Sequence, residues 1–250
     1  MKPEQEQAKF RRSKPSRLGR GIERLTHPVG AAIASALPRS GVEAVLKGLD
    51  SAVGAPQLVN FDHDPHNLEA ARDAARRVSR AARAISGSTG AAAGLGGIVT
   101  AGFDIPATIA IALRTIRDTG RAYGYAGEGP QEKLFRLQIL ELAAINDPQQ
   151  RQDRIAALEA SIAQDGELAD AEYEKIVPVV DQAIERVSRA IALGSIRSRA
   201  GMLVPIIGSA VGGIVNVSFQ GDVGKAARFA FQERALRRAK AAGTTAGTVS

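Results

Sequence analysis

Two stretches of this chain carry no charge and an excess of glycine. Residues 84–103 are 20 uncharged positions between Arg83 and Asp104, and residues 200–221 are 22 more between Arg199 and Asp222. Together they hold 11 of the 26 glycines, and they share a phrase: LGGIVTAGFD at 95–104 and VGGIVNVSFQ at 211–220. Side chains this small bury little apolar area, so such segments hold together only where backbone meets backbone. Gly90 and Gly94, like Gly208 and Gly212, have the small-xxx-small spacing that lets two helices approach closely. The expected fold is therefore all-α, a single multi-helix domain with two Gly-rich apolar helices at its centre.

The rest of the chain agrees with helices. Asp64–Pro65 reads as a helix start, followed by an apolar stripe of Leu68, Ala71, Ala75, Val78, Ala82 and Ile85. Arg72, Arg76, Arg80 and Arg83 form a second stripe, at steps of four, four and three, on another face. Asp104 and Pro106 open a helix through Ile109, Leu113 and Ile116, and Asp222 is expected to open a C-terminal one through Phe229 and Phe231. A Gly-rich segment, an acidic cap and a basic amphipathic helix thus occur twice in that order, as a degenerate internal repeat. Pro130 and Asp147–Pro148 start two further helices, Gly166 ends the second, and Pro178 bends a helix over 167–193. Strand-like alternation is absent.

Charge and composition narrow the function. The net charge of +7 sits at the ends: residues 1–24 carry +5 and residues 225–250 carry +5, so the middle is negative. Residues 1–24 read as a basic flexible arm, 25–241 as the helical domain and 242–250 as a disordered tail. Basic ends attract anionic surfaces. With no aromatic residue beyond Phe10 among the arm's basic residues, base stacking has little support, so nucleic acid is a poor partner. The absence of Cys excludes disulfides and thiolate sites and fits a reducing cytoplasm. The N-terminus has no apolar run of the kind a secretory signal needs.

Residues 94–126, GLGGIVTAGFDIPATIAIALRTIRDTGRAYGYA, resemble the signature of the EcsC family of bacterial proteins. The Gly-rich lead, the Asp104-Ile105-Pro106 step, Leu113–Arg114 and Tyr123-Gly124-Tyr125 carry the likeness. LVPIIGSAVGGIVN at 203–216 resembles the family's second Gly-rich block. The likeness covers about 40–240 and leaves out the arm and the tail. It implies a mostly helical fold and brings no catalytic residues with it. The family takes its name from a protein encoded beside ABC-transporter subunits, which implies a membrane protein complex as a partner.

Each candidate site residue has a structural and a functional reading. Asp104 is a helix cap or, if buried, a general base or cation ligand. Arg114, Arg117 and Arg121, with Asp118, form an ion-paired face or an anion site that Arg72, Arg76 and Arg80 would join from a neighbouring helix. Asn216 stands among Ile214, Val215 and Val217, where a buried amide must find partners. Tyr123 and Tyr125 pack at a helix end with their hydroxyls at its rim. His63 and His66 flank Asp64-Pro65, but no third ligand group accompanies them, so no metal is expected. GDVGKAA at 221–227 lacks the Gly spacing and Ser/Thr of a P-loop, and no cofactor motif is present.

Neither uncharged run suits a bilayer. Residues 84–103 are mostly Ala, Gly, Ser and Thr, and the second run contains Pro205, Asn216 and Gln220. The leading expectation is a non-enzymatic accessory protein, cytoplasmic or peripheral at the inner membrane, that meets anionic lipid or a membrane complex through Arg-rich faces. The alternative is a hydrolase or other small-molecule enzyme with a site around Asp104, Arg114, Tyr123 and Asn216.

Overall fold

A computed structural model describes residues 2–13, 48, 52, 54–94, 105–145, 147–169, 182, 184 and 208–247. Among them are six helices: α1 (Pro3–Arg12), α2 (Leu68–Gly94), α3 (Ile105–Ala122), α4 (Pro130–Ala144), α5 (Pro148–Ala160) and α6 (Gly208–Gly247). No strand is formed among these residues, apart from one isolated bridge between Ile162 and Leu168. The fold is all-α. None of the described helices is long and apolar enough to cross a membrane.

Local chemistry sets the ends of the helices. α2 starts later than the Asp64–Pro65 signal suggests. Asp64 instead holds a turn, accepting from the His66 N–H at 2.9 Å. Asn67 is the cap of α2, its Oδ1 accepting from the N–H groups of Glu69 and Ala70, both at 3.1 Å. Asp147 caps α5 by accepting from the Gln150 N–H at 2.8 Å, and Pro148 follows. α3 ends in a Schellman motif. Tyr125 N–H donates to the Gly120 carbonyl at 2.9 Å and Gly124 N–H to that of Arg121 at 3.0 Å. Gly124 supplies the left-handed conformation this requires, with φ +84°.

α6 is the axis of the molecule. It runs 40 residues, about 60 Å at helical rise, and touches each of the other five helices. Its partner along the seam is α2, and the two run antiparallel. A Cβ on Gly87 would lie 3.6 Å from Val217 Cγ2, one on Gly221 3.8 Å from Arg83 Nε, and one on Gly224 2.3 Å from Ser79 Oγ. The α2 position falls as the α6 position rises. On that register the helical part of the first Gly-rich run, residues 84–94, faces the later part of the second, from about residue 210 onward. α3 packs against both α6 and α2 and runs parallel to α6, with Gln220 Nε2 donating to the Thr108 carbonyl at 3.0 Å and Gly120 against Phe231. The core forms where these helices meet: Ala71, Ala74 and Ala75 of α2, Ile109, Leu113 and Ile116 of α3, Phe135 and Leu137 of α4, Val223, Ala227 and Phe231 of α6.

Other expectations change as well. Asp222 does not open a helix: α6 runs through it unbroken, and Asp222 pairs with Lys225 one turn on, at 2.9 Å. The second Gly-rich run is therefore the N-terminal part of the C-terminal helix, with no break between them. The first run likewise begins as the continuation of α2, up to Gly94. Within 1–24, residues 3–12 are not a flexible arm but a docked helix. Within 242–250, residues 242–247 continue α6 rather than forming a disordered tail. Residues 14–24, Asp104 and Pro178 lie outside the described residues.

α1 is docked chiefly by polar contacts. Gln7 is buried and donates to the Phe229 carbonyl at 3.0 Å and to Gln232 Oε1 at 2.9 Å. Phe10 stacks on Phe229 with ring centroids 4.4 Å apart, and Arg11 bridges Glu159 at 2.7 Å and Glu233 at 3.0 Å. No local pattern announces a helix held this way, because its anchors lie far downstream in the chain.

Candidate functional site

The arginines expected to gather around an anion are mostly committed to holding the fold. On α3, Arg117 and Asp118 are both buried and paired, Arg117 Nε donating to Asp118 Oδ1 at 2.9 Å. Arg117 also donates to the carbonyls of Ala52, Ala55 and Pro56. The second oxygen of Asp118 accepts from the Leu58 N–H at 2.7 Å, and Arg114 donates to the Pro56 carbonyl at 2.8 Å. These α3 side chains therefore clamp the segment 52–58. A buried pair satisfied by backbone in this way is costly to break from one side. Arg121 lies 3.6 Å from Glu128, a carboxylate it shares with Arg136 at 2.8 Å.

A second clamp, which no local sequence pattern announces, sits on α6 between two and four turns before its end. Arg234 has no solvent exposure; it bridges Glu132 at 2.7 Å and Glu167 at 3.3 Å and donates to the Gly166 carbonyl at 2.9 Å. Its guanidinium covers the Tyr125 ring at 3.8 Å, and Arg238 lies 4.7 Å from the same ring while donating to the Tyr123 carbonyl at 2.9 Å. Burial raises the Tyr125 phenol above its ordinary range, and Arg238 and Arg234 oppose that rise. Part of the C-terminal basicity is thus internal wiring rather than a face for an outside anion.

Around Tyr123 the arrangement differs. Tyr123 is fully buried beyond the last turn of α3, and its hydroxyl has no hydrogen-bond partner. Burial pushes its phenol well up, against the pull of Arg228. Arg228 of α6 donates to Ser79 Oγ at 3.0 Å, and Ser79 in turn donates to the Ala75 carbonyl at 3.1 Å. Gly224 makes room for this, since any Cβ there would collide with Ser79 Oγ. Burial lowers Arg228, while Tyr123 and Glu6 act to raise it. The neighbouring wall is ion-paired: Arg76 to Glu6 at 2.6 Å and to Asp73 at 3.3 Å, Arg72 to Glu69 at 2.9 Å and to Asp73 at 3.4 Å. Arg228 has no carboxylate partner among the described residues.

Farther along α2, Arg77, Arg80 and Arg83 are exposed and have no carboxylate partner among the described residues. Arg80 is therefore separated from the paired Arg72 and Arg76 with which it forms a stripe. Arg83 crosses the seam toward Gly221. Asn216 lies on α6, but its side chain is outside the described residues, as is Asp104. His63 donates to or accepts from nothing metal-like; its Nε2 lies 2.8 Å from the Ala122 carbonyl and its ring meets Phe61 edge-on. Among the described residues no group of three or more His, Asp or Glu could hold a metal ion. Arg228, Ser79, Glu6 and Arg234 carry no local sequence signal, since their partners lie on other elements.

The model of the EcsC protein family matches residues 2–236. The chain belongs to the EcsC family. The match starts at residue 2, so the N-terminal helix lies inside the EcsC domain rather than outside it, in agreement with its docking on α6. Protein EcsC of Bacillus subtilis (strain 168) is 22% identical over 201 residues, covering 78% of this chain and 77% of the relative. Uncharacterized protein YdbA of the same organism is 38% identical over 55 residues, 22% of this chain and 20% of that one. No solved structure matches.

Proposed function

We propose that this EcsC-family protein is a non-enzymatic accessory protein that sits on the cytoplasmic side of a membrane, against anionic lipid or a membrane protein complex, and meets that surface with α2. The observation that carries this is the row Arg77, Arg80 and Arg83, exposed on one side of α2 without carboxylate partners among the described residues, while Arg72, Arg76, Arg114, Arg117 and Arg121 are paired or bonded to backbone. Lys225, also exposed, lies across the seam on α6. Unpaired surface arginines near an anionic membrane contribute roughly 1 kcal/mol each.

Co-sedimentation with vesicles, over a series of anionic lipid fractions and salt concentrations, tests the proposal. Retention is expected to rise with anionic lipid and fall with salt. The triple variant R77Q/R80Q/R83Q is expected to bind about 100-fold more weakly, from about 3 kcal/mol lost. Binding indifferent to charge and salt, or unchanged in the triple variant, removes the proposal. The enzyme reading has less support. Of its four residues, Arg114 reaches Pro56 near the middle of α3, whereas Tyr123 is enclosed beyond that helix's end, nine positions or about 13 Å farther along the axis.

A further inference from the structure

Contacts that involve charge dominate the docking of α1. Its apolar residues are Pro3, Ala8 and Phe10, and of the ten only Gln7 is buried. Phe10 stacks on Phe229, and Arg151 of α5 lies over the other side of the contact, 4.4 Å from the Phe10 ring. The remaining anchors are polar: Glu6 to Arg76, Arg11 to Glu159 and Glu233, and Gln152 and Arg151 of α5 donating to the carbonyls of Arg11 and Phe10 at 3.0 and 3.3 Å. The Arg76 and Arg11 side chains are 43% and 37% exposed, so their pairs are open to screening and weak. Ten residues make at best a marginal helix alone in water, so α1 owes its order to this docking.

One of these pairs reaches the basic row on α2. Arg76, Arg80 and Arg83 follow one another at steps of four and three, on one face of the helix. A single oxygen of Asp73 serves both Arg72 at 3.4 Å and Arg76 at 3.3 Å, so the short contact of Arg76, at 2.6 Å, is the one to Glu6. Glu6 is therefore what ends the run of arginines without carboxylate partners. We propose that α1 is a releasable strap that regulates the anionic-surface site on α2. Docked, its Glu6 withholds Arg76; released at an anionic lipid surface, it adds Arg76 to Arg77, Arg80 and Arg83. This rests on the membrane reading of that row. Residues 1–24 carry +5, so anionic lipid competes for them with Glu159 and Glu233, the carboxylates that hold Arg11. Release also takes the Phe10 ring off Phe229 and Gln7 off Gln232.

The chain has no Cys, so Lys9→Cys and Asp153→Cys take a fluorophore pair at defined places. Both positions are exposed and adjoin residues of α1 and α5 that touch, so energy transfer between them reports docking in the full chain. Phosphatidylglycerol vesicles are expected to lower the transfer, and phosphatidylcholine vesicles to leave it unchanged. In co-sedimentation with phosphatidylglycerol vesicles, Glu6→Gln is expected to bind about threefold more tightly than the wild type, since an exposed ion pair no longer has to break. In the Arg76→Gln background the same substitution is expected to bring no gain. Glu4→Gln makes an equal change in net charge at an exposed residue that has no ion-pair partner among the described residues, and is expected to bind much as the wild type does. Binding with unchanged energy transfer, an equal gain in E4Q and E6Q, or a gain from E6Q that persists with R76Q overturns the strap and leaves the membrane reading standing. No binding of the wild type to phosphatidylglycerol vesicles removes both.

Discussion

Replacing Asp118 by Ala isolates the clamp on α3. Asp118 has no solvent exposure and Arg117 almost none, so the substitution leaves a guanidinium buried with carbonyl partners but no counter-charge. It also strips the Leu58 N–H of its acceptor at 2.7 Å. Breaking a buried pair from one side costs about 3–5 kcal/mol, and a part-buried N–H left without its acceptor adds up to about 1 kcal/mol. For a chain of this length that corresponds to a fall in melting temperature of about 10 °C. The double variant R117M/D118L removes the stranded charge as well, and is expected to recover a substantial part of the loss, since well-packed apolar replacements of buried pairs are often neutral. Urea unfolding followed by circular dichroism measures both. A loss under about 1 kcal/mol for D118A, or a double variant no more stable than the single, refutes the reasoning that the pair's charges depend on each other in a water-free setting.

Two further outcomes follow from the glycines and tyrosines. Gly166 has φ +84° and its Cβ position lies 2.2 Å from the backbone oxygen of Arg234, so G166A is expected to cost more than about 2 kcal/mol, whereas G129A, with open space around it, changes stability by less than about 1 kcal/mol; urea midpoints of the two compare them directly. Tyr123 and Tyr125 are both raised by burial. Their folded values lie above the unfolded value, so the stability they contribute is present below about pH 10 and is lost as pH rises through the folded values. Absorbance of ionised phenol is therefore expected to show two of the three tyrosines titrating together with alkaline unfolding; ionisation of all three near pH 10 in an intact fold contradicts this.

The helices of this chain were legible because their signals are local. Leu68, Ala71, Ala75, Val78 and Ala82 repeat at helical spacing, and Ala71, Ala75, Val78 and Ala82 are buried on α2. Asp147–Pro148 marks an end that needs only neighbouring residues to form, whereas α5 stops at Ala160, six residues before the expected break at Gly166. The Asp222 signal misled for the same reason. An Asp after a Gly-rich run reads as a cap, yet Ser79 and Arg83 packed against Gly224 and Gly221 hold α6 continuous through it. The basic arm misled because a polar decapeptide has no core stripe of its own. Its order comes from Phe229, Gln232, Glu233 and Glu159.

The candidate site was legible only in its residue types. Tyr123 stood out as a family-like position and Arg76 as part of a stripe, but a stripe does not tell a spent arginine from a free one. That distinction depends on whether a carboxylate from another element arrives, as Glu6 does for Arg76 and none does for Arg228.

By itself, then, the amino-acid order determined that the chain is helical and that it belongs with EcsC-like proteins, because periodicity, caps and family motifs are written over a few neighbouring residues. Tertiary structure alone decided which helices face each other, which charges are paired inside the molecule and which stand without a carboxylate partner among the described residues. The physical reason is that a charge's free energy depends on the water and counter-charge around it, and those are supplied by segments far away in the chain.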